Sequence, residues 1–256
     1  MLHRLREAGL IIPTLASILG LGVLLSLGVW QMQRKAWKDG LVAKITSRAK
    51  GAPVQFEDAL RRFNDRRDDV DYLPVKVTGK MDHDGEIYFY APHPKLGPGV
   101  HVYTPLQYAP DKVVWLNRGF VKKANLDRDK RRDSLPLGEV SVTGLARLSP
   151  SKKSSMFVPE NDLEKRQFYW RDLSNMHATA YDKDKVSTVA FFIDVAKDGQ
   201  PPTTHGPHGG VTRLQLTNRH FEYAITWFGL AVTLLVVFAL FARGRLQSDR
   251  SPGNTD

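Results

Sequence analysis

The sequence predicts an α+β membrane protein: a two-helix transmembrane hairpin whose arms are joined by an antiparallel, β-rich, barrel-like domain outside the membrane. Three observations carry this. Leu10 to Trp30 hold no charge, and neither do Tyr223 to Phe241. A helix over the second run would be roughly 28 Å long at about 1.5 Å per residue, close to the hydrocarbon thickness of a bilayer. Between the runs, apolar residues recur at a period of two in several short stretches, the mark of half-buried strands. The chain therefore divides into an N-terminal tail (1–9), a first span (10–30), an extramembrane domain (31–222), a second span (223–241) and a C-terminal tail (242–256).

Leu10 to Trp30 tolerate Pro13 because it falls near the start of the helix. The run passes directly into Trp30-Gln31-Met32-Gln33-Arg34-Lys35 with no small-residue cleavage site, so it reads as a retained span and not a signal peptide. Too few residues precede it for an Arg- and Ser-rich transit peptide, which points to a bacterial inner membrane ahead of a mitochondrial one. Gln31 to Ala49 lack proline and continue the helix beyond the membrane until Gly51-Ala52-Pro53 stop it, and Phe56 to Phe63 form a second, short helix. Leu73, Val75 and Val77 then alternate with polar residues; His83-Asp84-Gly85 make a turn, and Ile87 to Tyr90 resume as a strand, together a hairpin. Further strands fall at Val100–Tyr103, Val113–Leu116, Val140–Leu145 and Val189–Val195, with a helix over Asp172–Tyr181 capped by Asp172. Six strands close in sequence suggest a twisted sheet curling into a barrel or half-barrel. Residues 198–210, rich in Pro and Gly, read as a flexible return to the membrane.

Lys+Arg 37 against Asp+Glu 27 give a formal charge of +10. The basic residues are interleaved with acidic ones and carry no nucleic-acid motif, so membrane lipid is the expected partner and nucleic acid is not. Orientation does not follow from charge. Arg4, Arg6, Arg243 and Arg245 lie on the tails, while Arg34, Lys35, Lys38 and Lys44 follow the first span, and long domains translocate largely regardless of charge. Small residues at Gly22/Ser26 and Gly229/Thr233 fall at similar depths and offer faces for close helix approach, unless they are the scattered glycines common in spans.

With no cysteine, disulfides, thiolate metal sites, a Cys nucleophile and cysteine-based copper delivery are excluded. There is no Ser-centred elbow, no His-Glu-x-x-His and no glycine-rich phosphate loop, so nothing calls for an enzyme. His220, three residues ahead of the second span and on one helical face with Ala224 and Trp227, could offer a neutral imidazole to haem iron; it could equally be solvated among head groups. Arg219 could pair with a propionate or a lipid phosphate. Tyr223 and Trp227 are interfacial aromatics. His205 and His208 could hold a metal, although two ligands make a weak site. Arg118, in Trp115-Leu116-Asn117-Arg118-Gly119-Phe120, could bind a carboxylate, or pair with an acidic neighbour within the fold.

Four stretches in order give the chain a resemblance. Leu27-Gly28-Val29-Trp30-Gln31-Met32-Gln33-Arg34, Gly97-Pro98-Gly99-Val100-His101-Val102-Tyr103-Thr104-Pro105-Leu106, Val114-Trp115-Leu116-Asn117-Arg118-Gly119-Phe120-Val121 and the run Asn218 to Ala231 are similar to the motifs of the Surfeit locus family, assembly factors of cytochrome c oxidase. Val100 and Phe120 stand where that family usually has an aromatic and a tryptophan. The resemblance implies two spans, a β-rich domain on the periplasmic or intermembrane side, and a part in maturing the haem a centre of oxidase subunit I, with haem a synthase as a further partner. It implies His220 as the haem contact; our own reading of the neighbouring residues, and not the motif, adds Tyr223 and Trp227 as cover for the ring and Arg219 and Arg118 as propionate candidates. The readings that stay open are a haem-free scaffold for oxidase subunits and a membrane-anchored enzyme acting on a carboxylate through Arg118.

Overall fold

A computed structural model describes residues 9–150, 152–182, 185–212 and 218–248. The expectations for Arg4, Arg6 and the last eight residues of the C-terminal tail lie outside the described residues. The helices are α1 (Ile11–Ala49), α2 (Phe56–Asp65), α3 (Leu173–Ala180) and α4 (His220–Ser248). The strands are β1 (Val54–Gln55), β2 (Pro74–Met81), β3 (Ile87–Tyr90), β4 (Gly99–Ala109), β5 (Lys112–Lys122), β6 (Glu139–Leu148), β7 (Gln167–Phe168) and β8 (Ser187–Val195). They form two compact units, residues 1–44 with 215–256, and residues 45–214. The division falls beyond the ends of the apolar runs because α1 continues unbroken past Trp30.

In the helical unit, α1 and α4 are both long and apolar enough to cross a membrane, and only 6% and 11% of their apolar windows are buried. A core helix of a soluble protein would be covered on most sides, so these two are compatible with membrane anchoring. They run antiparallel, with Asp39 against Asn218, Gln31 against His220, Gly28 against Phe228 and Gly20 against Leu234. The close approach is at Gly28, where an added Cβ would lie 2.5 Å from the Phe228 ring. It is not at Gly22 and Gly229, where nothing lies within 4 Å of such an atom. The hydroxyls of Ser26 and Thr233 bond back to the carbonyls of Gly22 and Gly229 within their own helices, so the expected small faces do not meet.

In the other unit, β2, β6, β8, β5 and β4 pair in that order and β4 returns to β2 through Lys80 and Met81, closing a five-stranded barrel. The barrel is mixed, because β5 and β8 run parallel while the other four pairings of the ring are antiparallel. The expected hairpin of β2 with β3 does not form. β3 turns away at Asp82–Gly85 and pairs with β4 (Ile87 with Tyr103 to Tyr90 with Val100), carrying β7 on its outer edge.

The period of two in β2 is the period of the barrel wall: Val75, Val77 and Met81 are buried and Lys76, Thr78 and Lys80 exposed. Val75, Val77, Leu106, Val114, Leu116, Val142, Ala146, Phe191 and Ile193 belong to one core, joined by Phe56 and Ala59 of α2. β5 is buried on both faces, since Trp115 belongs to a second cluster with Ile87, Tyr103, Phe168, Phe192 and Met176 of α3. That helix begins as the sequence requires, with the Asp172 carboxylate accepting the backbone N–H of Asn175.

Residues 198–210 are tied to the barrel, contrary to the expected free loop. Phe120 and His208 exchange backbone hydrogen bonds of 3.0 Å, and the Gln200 amide donates to the carbonyls of Arg118 and Pro207. Gly119 makes this approach possible. Its φ is +109°, and a Cβ there would sit 1.9 Å from the His208 carbonyl oxygen.

Candidate functional site

The first cap of α4 gathers the residues singled out in the second span. The Asn218 side-chain carbonyl accepts the backbone N–H of His220, and its amide donates to Asp39 at 2.7 Å, fixing where the helix begins against α1. His220 then faces α1, where its Nδ1 lies 2.7 Å from Oε1 of Gln31. Ala224 and Ala231, four and eleven residues on, continue that face and are buried. Gln31 is 9% exposed, a nearly buried amide just past the end of the apolar run of α1, where an unsatisfied polar group would be costly.

A carboxamide oxygen accepts, so in this contact it is Nδ1 of His220 that donates, and Nε2 faces away from Gln31. No described residue bonds Nε2. The ring lies in a groove of about 290 Å³ lined by Gln31, Lys38, Arg219, His220 and Tyr223. Arg219 and Tyr223 are exposed there. Three of the five expected site residues therefore share one groove. Trp227 does not line it. It is half-buried further along α4, and its indole N–H has no hydrogen-bond partner among the described residues.

Arg118 belongs to the barrel unit and is turned inward, 1% exposed. Tyr103 pairs with Asn117 and Val102 with Gly119, so Arg118 is the extra residue of a β-bulge, and the bulge aims it into the interior. It donates to the Ser134 carbonyl at 2.7 Å and to Gln200 Oε1 at 3.0 Å, and lies 3.5 Å from Glu86. The carboxylate it meets is the chain's own. Glu86 is wholly buried and also takes Arg131 Nη2 at 2.8 Å and the Thr104 hydroxyl at 3.1 Å, with His83 at 3.5 Å. Burial would push this carboxyl up, but the hydrogen bonds from His83 and Arg131 and the charges of Arg131 and Arg118 outweigh it and hold it at about 2. Burial lowers Arg118 to about 10 against the pull of Glu86, which leaves it charged at neutral pH. The cluster is a charged pin joining β3, β4, β5 and the turn around Arg131.

His205 and His208 line a cleft of about 630 Å³ together with Lys122 and Gln200. Among the described residues no group of three or more His, Asp or Glu is arranged for a metal ion, which leaves this pair without a third ligand.

Sequence reasoning passed over Gln31, Lys38 and Glu86. Gln31 stands in the Trp-Gln-x-x-Arg stretch, and placing the inner ends of the two spans at one depth would have set it level with His220. Glu86 sits in the polar run Asp82-His83-Asp84-Gly85-Glu86 and looks like part of a turn; nothing local signals that Arg131 will meet it.

The model of the SURF1 family matches residues 19–232 of the chain. Surfeit locus protein 1 of Rattus norvegicus is 35% identical over 245 residues, covering 89% of this chain and 73% of that protein. Surfeit locus protein 1 of Mus musculus is 35% identical over 235 residues (85% and 72%), and that of Homo sapiens 33% over 237 residues (85% and 74%).

Proposed function

This chain belongs to the SURF1 family, and we propose that it is an assembly factor of cytochrome c oxidase that binds haem a beside its helix pair and aids insertion into subunit I. It works in the inner membrane as a two-span protein, with its β-barrel on the periplasmic side and haem a synthase as a donor partner. The observation that carries the haem reading is the contact of His220 with Gln31: Oε1 lies 2.7 Å from Nδ1, on the side of the ring away from Nε2, the nitrogen that would meet a metal.

The donor chemistry of the groove fits an iron porphyrin. Haem, when bound, would supply an iron that accepts a histidine nitrogen. His220 would hold the iron, Tyr223 would lie against the edge of the ring, and Arg219 with Lys38 would meet the carboxylates. Trp227, on the same helical face, extends the apolar flank. At about 290 Å³ the groove is at the low end for small-molecule sites. It is a seat for one edge of a macrocycle and not an enclosure, which suits a protein that passes its cargo on. Arg118, committed to Glu86, is not part of this seat.

The test is the visible spectrum of the full chain, purified in detergent from cells that make haem a. A haem spectrum that His220→Ala removes is the expected result. A colourless protein, with oxidase assembly still dependent on the chain, would replace haem handling by a haem-free scaffold. Normal oxidase assembly in a strain lacking the chain would overturn the assembly assignment itself, and an enzyme acting on a carboxylate would then need a site other than the buried Arg118.

A further inference from the structure

We propose that Gln31 is the positioning residue of the His220 site: it sets which ring nitrogen carries the proton and so makes Nε2 the only nitrogen that can take a metal. The inference rests on the haem reading for its purpose, but its physical content is a property of the protein alone.

In a solvated neutral histidine side chain the proton favours Nε2, which would block that nitrogen and leave the lone pair on Nδ1, the atom nearer the backbone. Here Gln31 Oε1 lies 2.7 Å from Nδ1. Only the Nδ1–H form can make this bond with a carbonyl oxygen, so the acceptor selects the tautomer. The selection is strong because Gln31 is 9% exposed and has little water to turn to. The geometry around the pair keeps the ring from turning away. Asn218 joins Asp39 on α1 and caps the first turn of α4, and Gly28 admits the Phe228 ring on the inner side, so the two backbones are pinned above and below the pair. A donor held in this way is also a better ligand, because the acceptor on Nδ1–H raises the basicity of Nε2.

The experiment has two readouts on the full chain in detergent. The first needs no haem: nitrogen-15 spectra of histidine-labelled protein near pH 8, with His220 assigned from the His220→Ala spectrum. The expected result is an Nδ1–H ring in the wild type that shifts toward Nε2–H in Gln31→Leu. Wild-type His220 with its proton on Nε2 would overturn the proposal without any variant. The second readout is titration with ferric protoporphyrin IX. Loss of a partner that orients a metal-bound histidine typically costs about 10- to 100-fold in affinity. Gln31→Leu should therefore bind that much more weakly, while Gln31→Glu, which keeps an acceptor at Nδ1, should bind within about threefold of wild type. Gln31→Leu binding as tightly as wild type with an unchanged tautomer would refute the role. If the porphyrin does not bind wild type through His220, the haem reading fails, and the tautomer readout still decides whether Gln31 sets the ring.

Discussion

Replacing Glu86 by glutamine tests the buried charge cluster. Glu86 is 0% exposed, Arg131 0% and Arg118 1%, with Arg128 Nε a further 3.7 Å from the carboxylate. Glutamine keeps the size and one acceptor but removes the charge and turns an N–H₂ toward guanidinium groups. Breaking a buried pair from one side costs about 3–5 kcal/mol, since the cations left behind have no counter-charge. The pH dependence gives an independent figure. The carboxyl is held at about 2 in the fold against an ordinary 4.5, and at 1.36 kcal/mol per unit this corresponds to about 3 kcal/mol. The sign follows from the proton count. A depressed folded value means the unfolded chain binds the proton first, so the stabilisation is fully present above about pH 4.5 and is lost as pH falls toward 2. The assay is urea unfolding of the full chain in detergent, followed by near-ultraviolet circular dichroism at pH 7 and at steps from pH 5 to 2. Glu86→Gln should lose about 3 kcal/mol at pH 7 and show a shallower acid slope than wild type. A loss below about 1 kcal/mol, or an acid slope identical to that of wild type, would refute the account of Glu86 as the pin.

Three further outcomes are expected. Gly119→Ala should fold poorly or lose the 206–210 segment from β5, because φ is +109° and the new Cβ would fall 1.9 Å from the His208 carbonyl; amide exchange at Phe120 and His208 would report it. Gly28→Leu should push α1 and α4 apart at Phe228, read as a lower yield of cross-linking between cysteines placed at Asp39 and Asn218 in a chain that has none of its own. Asp172→Ala should cost about 1 kcal/mol by removing the cap of α3, and thermal unfolding would show it; an unchanged midpoint would mean the Asn175 N–H finds another partner.

Local signals carried the elements well. The alternation at Leu73, Val75 and Val77 became a barrel wall, and Asp172 became a cap, because each depends on residues a few positions apart. Partners were harder to read. The turn at His83-Asp84-Gly85 is present, yet β2 and β3 separate there, since the backbone N–H of Asp82 donates to the Pro105 carbonyl and the chain must carry Glu86 inward to Arg131, 45 residues away. β5 lost its alternation because both faces are covered, one by the barrel core and one by the cluster with α3, and a sequence run buried twice shows no period. At the candidate site, His220, Arg219 and Tyr223 were legible from their place at a span end. Gln31 was not, as its partner is 189 residues distant. Arg118 was legible as unusual, but a bulge at Asn117–Gly119 decides its direction, and register shifts leave little trace in composition.

The pairing of α1 with α4 makes the imidazole sensitive to residue count as well as residue type. Gly28 and Gln31 lie on one uninterrupted helix, three positions apart, and each meets its own partner on α4. A single residue inserted between them would swing Gln31 by about 100° and carry it about 1.5 Å along the axis. The carboxamide would then point elsewhere while every side chain in the groove remained in the sequence. Length between these two positions is therefore under the same constraint as identity, and an indel there would break the Gln31–His220 contact without changing either residue.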